Sequence, residues 1–518
     1  MQTKGINKII IVGGGSAGWM TATTLAKLFP RKKISLIESP NIATVGVGES
    51  TIAQIRGWQA TVGIKDIDFM SACDATYKLS IKFTDFYKKG EAFHYPFGEP
   101  FLAGNESLMN DWWFKKFAYP KTPYSDYAMC NYPQMALVSE NKCFFNDPPV
   151  IPFEFWRHTA YQFDATKFGL WLRDNVCIPA GVKHIKEEIK TIEQNNDGIE
   201  TLNGKHKADL FIDCTGFKSL LLEQTLKEPF INLESVLPNN SAWCTHIPYT
   251  DKRKQLVGYT NCTAVENGWI WNIPLWSSMG SGYVYSDKFI SDEEALKQFQ
   301  KHIKTKELDF KKIKFKVGIH DRLWVKNVCA IGLSAGFIEP LESNGLYSVH
   351  EFIHHLTRTL QRGPVSRWDK DAFTAVCKNI FYTFTEFVGM HYALSHRQDT
   401  PYWKNNFNKA WPKEILKLVP STYSGFQAAI FDRGIRYRFA NTDAGIHCIA
   451  AGMHWGPTDI PSLIKGNVDS DLDAWKERWK LTAERLDKNK AGWKTGVRVR
   501  DVPIMYDFLK ENYYKEWI

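Results

Sequence analysis

The sequence contains no run of about 18 uncharged apolar residues, no long arginine-rich tract and no low-complexity linker. The first absence excludes a typical transmembrane helix, and the second argues against a nucleic-acid partner although the net charge is +9. The first predicted strand begins by residue 8, which leaves no room for a signal peptide. We therefore expect a soluble cytoplasmic protein that forms one continuous body and binds neither nucleic acid nor membrane.

The sequence also shows no recognisable metal-site pattern. The 10 cysteines are scattered, with no CxxC pair and no zinc spacing, which indicates reduced thiols. His350 and His354 are spaced to share a helix face, but no acidic third ligand accompanies them on that face. We expect no metal site.

Aromatic residues, in contrast, are abundant. The chain has 19 Trp, 21 Tyr and 33 Phe, together 14% of its residues. A surplus of rings supplies core volume, and it also suits a protein that packs a planar cofactor or substrate. Composition alone leaves both interpretations open.

The first motif with chemical meaning follows an apolar run at the N-terminus. Residues 8–12 predict a buried parallel strand, and Gly13, Gly15 and Gly18 fit the pattern G-x-G-x-x-G at the start of a helix. These glycines permit a tight turn, close approach of a pyrophosphate and close helix–strand packing, and Ser16 and Ala17 lie between them. A second strand ends in Glu38, where a carboxylate can bind ribose hydroxyls. The pattern predicts a dinucleotide site.

Two later segments favour FAD over NAD. Residues 208–217 and 328–336 each predict an apolar strand that ends in a small-residue turn, containing Gly216 in one and Gly332 with Leu333 in the other. Such turns let the backbone pass close to a nucleotide, although both segments could be ordinary sheet strands. We find no second glycine motif for a nicotinamide, so the electrons are expected from outside, as free reduced flavin.

Several blocks of the sequence resemble the flavin-dependent halogenases of the tryptophan-halogenase type. The blocks are the glycine turn followed by Trp19, Gly46–Thr51, Tyr77–Phe83, Gly268–Leu275, Gly280–Ser286 and Phe337–Gly345. They span residues 8 to about 350 in the order of the family, and the resemblance weakens beyond residue 360. The Trp-x-Trp-x-Ile-Pro block is the most specific, because in this family it separates halogenases from the flavin monooxygenases that share the fold.

The resemblance implies an activity and a partner. A separate NADH- or NADPH-using flavin reductase would supply FADH2 transiently, and reduced FAD, oxygen and halide would generate hypohalous acid. The oxidant would pass through a tunnel to Lys78, which matches the lysine of the family. An ammonium can polarise hypohalous acid by hydrogen bonding, or the amine can form a haloamine, and either role requires a desolvated, positioned lysine.

The resemblance also assigns a carboxylate and a halide turn. Glu342, rather than Glu339, matches the glutamate that stabilises the cationic intermediate of the arene and accepts its proton. Ser343, Asn344 and Gly345 match the halide-binding turn, although the family usually has threonine at the middle position. The implied FAD contacts also include the block with Gly48, Glu49 and Ser50. Chloride, bromide and iodide all remain open as the halide.

The remaining candidates concern the tunnel and the substrate. They are Trp269, Trp271, Ile273 and Pro274 as the tunnel wall, and His94, Tyr95, Phe97 and Trp455 as pocket residues. His94-Tyr95 reverses the Tyr-His order of the family, so the roles of the two rings cannot be transferred directly. Residues 444–456 lack the tyrosine pair and the acid that hold free tryptophan in some family members. We therefore expect an indole, phenol or similar electron-rich arene rather than free tryptophan.

These observations predict an α/β fold with two regions. Residues 1–360 would form an FAD-binding Rossmann-like module of the flavin-monooxygenase type, assembled from separated segments and containing inserted substrate-lobe strands. Residues 361–518 would form a mainly helical cap over the substrate. The alternatives are an FAD-dependent aromatic monooxygenase and a catalytically silent flavin-binding sensor. A homo-oligomer is compatible with the sequence.

Overall fold

The structure is a computed structural model that describes residues 5–41, 48–101, 108–147, 149–409, 443–455, 472–496 and 501–515. The strands in these ranges are β1 (Lys8–Val12), β2 (Lys33–Glu38), β3 (Gly48–Ser50), β4 (Thr76–Lys78), β5 (Ser80–Thr84), β6 (Ala92–Pro96), β7 (Ala160–Asp164), β8 (Lys183–Lys186), β9 (Ile192–Asn195), β10 (Gly198–Leu202), β11 (Leu210–Asp213), β12 (Phe230–Asn232), β13 (Ser241–Ile247), β14 (Tyr259–Val265), β15 (Gly268–Pro274), β16 (Met279–Tyr285), β17 (Lys311–Lys314), β18 (Gly318–His320), β19 (Trp324–Val325), β20 (Val328–Ala330) and β21 (Gly336–Phe337).

The α-helices in the same ranges are α1 (Ser16–Leu28), α2 (Ile55–Val62), α3 (Asp66–Phe69), α4 (Leu108–Ala118), α5 (Asp126–Asn131), α6 (Met135–Ser139), α7 (Phe155–His158), α8 (Ala165–Leu172), α9 (Lys252–Gln255), α10 (Asp292–Ile303), α11 (Gly345–Gln361), α12 (Arg367–Ala393), α13 (Pro401–Asn408), α14 (Asp443–Gly452), α15 (Leu472–Gly496) and α16 (Met505–Asn512).

The chain divides into two compact units, each built from three segments. The first unit contains Met1–Thr76, Tyr161–Ile247 and Leu275–Thr385, and the second contains Tyr77–Ala160, Pro248–Pro274 and Glu386–Ile518. The functional division predicted at residue 360 stays a prediction.

The first unit is organised around a six-stranded sheet in the order β19-β20-β11-β1-β2-β8. The strands from β20 to β8 are parallel, and only β19 runs antiparallel to its neighbour. Residues 9–12 of β1 are buried, as the continuous apolar run predicts for a strand covered on both faces. The helix α1 follows β1 and packs against α8 and α11. The predicted Rossmann-like α/β fold is confirmed.

Further strand pairings complete the first unit. Strand β13 pairs antiparallel with β16 and β17, and β18 pairs antiparallel with β12 and β21. Strand β3 pairs antiparallel with β7, and β9 pairs with β10. The pairing of β3 with β7 fixes the backbone of Glu49 and Ser50, two residues of the predicted cofactor block.

The second unit combines strands with most of the C-terminal helices. Strands β15, β14, β5 and β6 lie side by side, with β14 and β5 parallel and the outer pairs antiparallel. Helix α15 packs along α4, where Trp475 and Trp479, four residues apart, contact Phe114. The predicted mainly helical C-terminal region is confirmed by α13 to α16 within the described residues.

The described residues also bear on membranes, metals and thiols. No described helix is both long and apolar enough to cross a membrane. No three His, Cys, Asp or Glu side chains in the described ranges are arranged to hold a metal ion. All ten cysteines are buried free thiols. The largest fully buried side chains are tryptophans and tyrosines, among them Trp19 and Trp269, so many of the rings supply core volume.

Candidate functional site

The glycine turn between β1 and α1 has the close packing that the motif predicts. Gly13 has a φ of +114°, and a Cβ atom there would lie 2.1 Å from the carbonyl oxygen of Cys214. A Cβ atom at Gly18 would lie 2.0 Å from the carbonyl oxygen of Gly13. Gly15 precedes the first residue of α1, Ser16, in an extended conformation. The N-terminus of α1 therefore follows directly on a turn that requires glycine at residue 13.

Two later segments return to this turn. Gly13 packs on Cys214, and a Cβ atom at Gly332 would lie 2.8 Å from the Cβ atom of Ala17. The two returning turns also contact each other, since the Ser334 hydroxyl donates to the carbonyl oxygen of Gly216 at 3.3 Å. Leu333 belongs to the same short helical turn as Gly332. These segments form a backbone-lined cradle, which fits the predicted dinucleotide.

Glu38 ends β2 beside the glycine turn, and His184 holds its carboxylate. The Nε2 atom of His184 lies 2.7 Å from Oε1 of Glu38, and the ring of His184 meets Trp19 edge-on at 5.2 Å. The other oxygen, Oε2, would lie 1.5 Å from a Cβ atom at Gly14, so it sits directly over the turn. Sequence reasoning missed His184, because the four-residue strand β8 carries no motif and its pairing with β2 is non-local.

The predicted halide turn lies against β3 within the first unit. The Ser343 hydroxyl donates to the Ser50 hydroxyl at 3.1 Å, and Ser343 has a φ of +57°. A Cβ atom at Gly345 would lie 2.7 Å from Oε1 of Glu49. Gly48 pairs with Asp164 and anchors β3 at its other end. The structure therefore brings Glu49 and Ser50 together with Ser343 and Gly345.

Three further side chains of this segment are buried. Glu339 and Glu342 are 0% and 1% exposed, and Glu339 accepts a hydrogen bond from Nδ2 of Asn239 at 2.7 Å. Asn344 is 6% exposed, and its Oδ1 accepts no hydrogen bond from the described residues. A buried carbonyl oxygen of this kind is energetically costly unless a bound group satisfies it.

Lys78 ends β4 in the second unit and is fully buried. Its exposed fraction is 0%, and its Nζ lies 4.9 Å from the centre of the Phe97 ring. The ring of Tyr95 meets Phe97 edge-on at 5.6 Å. The structure therefore brings two predicted residues, Lys78 and Tyr95, against the ring of a third, Phe97.

His94 and Tyr95 point to opposite faces of β6, as adjacent strand residues do. Nδ1 of His94 lies 3.0 Å from the Ser80 hydroxyl, and its ring meets Tyr259 edge-on. Burial, together with the nearby charge of Lys82, lowers the pKa of His94 to about 3, so the imidazole is neutral at physiological pH. The reversed order in the sequence thus leaves the phenol ring of Tyr95, not an imidazole, beside Phe97.

Helix α14 packs on the same face of β6 as Tyr95. A Cβ atom at Gly445 would lie 2.8 Å from Cζ of Tyr95 and 2.9 Å from Cζ of Phe387. Gly452, seven residues later, would place a Cβ atom 2.1 Å from the Phe93 ring. Sequence reasoning missed both glycines, although residues seven apart share a helix face and two glycines there signal close packing.

The other predicted wall residues lie in the second unit. Trp269 and Trp271 are buried on β15 with ring centres 6.0 Å apart, consistent with residues two apart on a strand, and Ile273 and Pro274 end that strand. Trp455 follows α14, and its ring centre lies 5.2 Å from that of Trp113. The roles predicted for all these residues stay predictions.

Comparison with known proteins gives one consistent family. Residues 8–457 match the model of the tryptophan halogenase family. The tryptophan 6-halogenase ThaL of Streptomyces albogriseolus is 30% identical, over 98% of each chain. The apo structure of VirX1 is 37% identical, with a TM-score of 0.86 and coverage of 98% of this chain and 100% of that chain. The structure of BrvH, a flavin-dependent halogenase from Brevundimonas sp. BAL3, is 27% identical, with a TM-score of 0.82 and coverage of 98% and 99%.

Proposed function

This chain belongs to the tryptophan halogenase family, whose members are FADH2-dependent enzymes, and we propose that it halogenates an electron-rich arene by way of hypohalous acid and Lys78. The family requires a separate flavin reductase, which we propose binds only transiently. When bound, FADH2 would supply two electrons and two protons, so that O2, halide and one further proton yield hypohalous acid and water. The hypohalous acid then halogenates the arene, which gives the haloarene and a second molecule of water.

The residues of the first unit fit FAD. The glycine turn and the two returning segments pack closely, because a side chain at Gly13, Gly18 or Gly332 would collide with neighbouring protein atoms. A turn of this kind can present its backbone to a pyrophosphate at the start of a helix. Glu38 supplies a carboxylate for the ribose hydroxyls. Its Oε1 accepts a hydrogen bond from His184, which leaves Oε2 for the ribose. We propose that these residues hold the cofactor and that Gly216, Leu333 and the β3 strand complete the site.

We propose that Ser343, Asn344 and Gly345 bind the halide. The turn is tied to β3 by the Ser343–Ser50 hydrogen bond and begins α11, so its backbone N–H groups belong to a helix N-terminus. The Asn344 amide adds a buried polar group whose Nδ2 can donate to an anion. The identity of the halide is part of the test below.

The observation that carries the proposal is the burial of Lys78. A lysine with no exposed surface, held over Phe97, is desolvated and positioned, which both chemical roles of the family lysine require. The ammonium would donate a hydrogen bond to hypohalous acid and increase the electrophilicity of the halogen, or the amine would carry the halogen as a haloamine. In both cases the arene attacks the halogen and its bond to oxygen or nitrogen breaks.

We propose that Glu342 is the base of the reaction. The attacked carbon of the arene carries a halogen and a hydrogen in a cationic intermediate, and loss of that proton restores aromaticity. A buried carboxylate stabilises the cation and accepts the proton, and Glu342 is buried with 1% exposure.

For the substrate, we propose an indole or phenol without the amino and carboxylate groups of free tryptophan. ThaL is named for tryptophan, so tryptophan is the competing candidate. Residues 445–455 of this chain contain no tyrosine and no acid, and Ile446 and Ile449 of α14 are buried. Such a helix offers apolar contacts rather than partners for a zwitterion.

The test is mass spectrometry of indole, phenol and L-tryptophan incubated with the protein, FAD, NADH, a flavin reductase and chloride, bromide or iodide. We expect halide-dependent addition of one halogen to indole or phenol, and at least a 100-fold loss in Lys78→Ala, of the order seen when a key electrostatic group is removed. Lys82→Ala is the matched control, because Lys82 lies on the neighbouring strand over another ring, Tyr259, at 5.9 Å. It should retain activity within about threefold.

Other results would overturn parts of the proposal. Halide-independent addition of oxygen would identify an aromatic monooxygenase. Equal losses in Lys78→Ala and Lys82→Ala would remove Lys78 from the mechanism. A halogenated product from L-tryptophan alone would replace the proposed substrate class while leaving the halogenase assignment intact. FAD binding without any product from this panel would favour the silent sensor.

A further inference from the structure

The contact between α14 and β6 is unusually close at Tyr95. A methyl group at Gly445 would come within 2.9 Å of both Cζ and the hydroxyl oxygen of Tyr95, and it would also meet Cζ of Phe387. Contacts below about 3 Å between these atom types require one partner to move. The present position of the Tyr95 ring therefore depends on the missing side chain at residue 445.

Tyr95 in turn borders the reactive lysine through a shared ring. Phe97 receives the edge contact of Tyr95 at 5.6 Å, and the ammonium of Lys78 lies 4.9 Å from the centre of the same ring. Tyr95 also meets Phe387 edge-on at 6.1 Å. A displacement of Tyr95 would therefore reach the Phe97 ring beside Lys78 without any substitution at Lys78 itself.

We propose that Gly445 is a positioning residue that sets the specificity of the arene pocket through Tyr95. By allowing the Tyr95 ring to lie against α14, it keeps Tyr95 and Phe97 at the distance at which a planar, uncharged arene can lie beside the Lys78 ammonium. This inference rests on the proposed function, since it assumes that Lys78 marks the reaction site. Residues 445–455 have no tyrosine and no acid that could bind the charged groups of a free amino acid. The inference gives this segment a role in selecting the shape of the substrate instead.

The structure predicts which atoms move when Gly445 is replaced by alanine. The colliding atoms are the far ends of two ring side chains, not backbone, so Tyr95 and Phe387 shift and the helix stays in place. Shifts of about 1 Å near reacting groups reduce rates by up to about 100-fold. We expect Gly445→Ala to bind indole about 10-fold more weakly and to halogenate less of it for each hypohalous acid formed.

Two measurements test the inference. Equilibrium dialysis gives the dissociation constants of indole, phenol and L-tryptophan for the holoenzyme. Turnover with bromide, with monochlorodimedone present to trap released hypobromous acid, gives the ratio of trapped acid to bromoindole. We expect this ratio to rise in Gly445→Ala, because misplaced arene fails to intercept the oxidant, while a merely destabilised enzyme would lose both products together.

The matched control is Gly492→Ala. Gly492 is also a helical glycine of the second unit, but nothing lies within 4 Å of a Cβ atom there. The Gly492→Ala variant should leave indole binding and the trapping ratio at wild-type values.

A second control is the pair Tyr95→Leu and Tyr95→Leu/Gly445→Ala. Leucine ends short of the colliding atoms of tyrosine, so only the contact with Phe387 remains in that background. Adding Gly445→Ala should then raise the dissociation constant clearly less than it does in the wild type.

The outcomes separate this inference from the proposed function. Wild-type indole affinity and trapping ratio in Gly445→Ala would overturn it, as would an undiminished effect of Gly445→Ala in the Tyr95→Leu background. Absence of halogenated product in the wild type would count against the proposed function, and dialysis would still decide the role of Gly445. If the wild type binds none of the three arenes, the assignment of the pocket to this face of β6 is wrong.

Discussion

Replacing His184 by leucine is predicted to weaken FAD binding. His184 Nε2 donates to Oε1 of Glu38 at 2.7 Å, and the two side chains are 13% and 20% exposed. Leucine removes this donor and leaves the Glu38 carboxylate partly buried with one fewer partner. The carboxylate then gains freedom to rotate away from the glycine turn, over which its second oxygen now lies.

The size of the effect follows from the type of hydrogen bond. A hydrogen bond to a charged group contributes about 1.5–3 kcal/mol when buried. Partial exposure of both side chains weakens this hydrogen bond. We therefore expect the binding free energy of FAD to become less favourable by about 1–2 kcal/mol. Since about 1.4 kcal/mol is a tenfold change in affinity, the dissociation constant of FAD should rise by about 5- to 30-fold.

The assay is titration of the apoprotein with FAD, followed by quenching of flavin fluorescence, for the wild type, His184→Leu and His184→Gln. Glutamine keeps an N–H donor and should stay within about threefold of the wild type. Thermal unfolding of each apoprotein separates weaker binding from loss of the fold. The reasoning is refuted if His184→Leu binds FAD as tightly as the wild type, or if His184→Gln loses as much affinity as His184→Leu.

Three further predictions concern stability. The pKa of His94 is about 3 in the fold, against 6.5 for a free histidine, so the unfolded chain binds an extra proton below pH 6.5. In urea titrations the wild type should therefore lose more stability than His94→Gln as the pH falls from 6.5 toward 4, and parallel losses would contradict this. Gly18→Ala should destabilise by about 1–3 kcal/mol or prevent folding, because its Cβ meets a carbonyl oxygen, whereas Gly57→Ala, with nothing within 4 Å, should be neutral or stabilising in the same thermal melts. Asn344→Thr should raise the unfolding free energy of the halide-free protein by about 1 kcal/mol by removing the buried Oδ1, and a lower melting temperature would count against it.

Local sequence patterns were sufficient for the elements around the glycine turn. The apolar run, the spacing of Gly13 and Gly18 and the acid at Glu38 predicted β1, α1 and β2, and the structure has them at Lys8–Val12, Ser16–Leu28 and Lys33–Glu38. These elements could be predicted because their signals, namely periodicity, turn glycines and strand ends, lie within a few residues of each other.

The contacts that arrange the site could not be predicted in the same way. His184 reaches Glu38 across 146 residues of sequence, and Gly445 meets Tyr95 across an even longer stretch. Such pairs depend on strand order and helix docking, which periodicity does not encode. Alternation along β6 did allow His94 and Tyr95 to be assigned to opposite faces once the strand was known, but not which face carries Lys78.

The burial of every cysteine has a consequence for the survival of the enzyme. Thiolates are among the groups that electrophilic halogen oxidises most readily, and the thiolate rather than the thiol is the reactive form. Burial raises the pKa of Cys130 and Cys177 to about 12 and that of Cys244 to about 11, so these groups remain protonated at neutral pH. The proposed hypohalous acid would therefore meet ten thiols that are all buried. At least Cys130, Cys177 and Cys244 would also be in the less reactive, protonated form. The same interior that stabilises the fold would thereby protect the protein from the oxidant that we propose it forms.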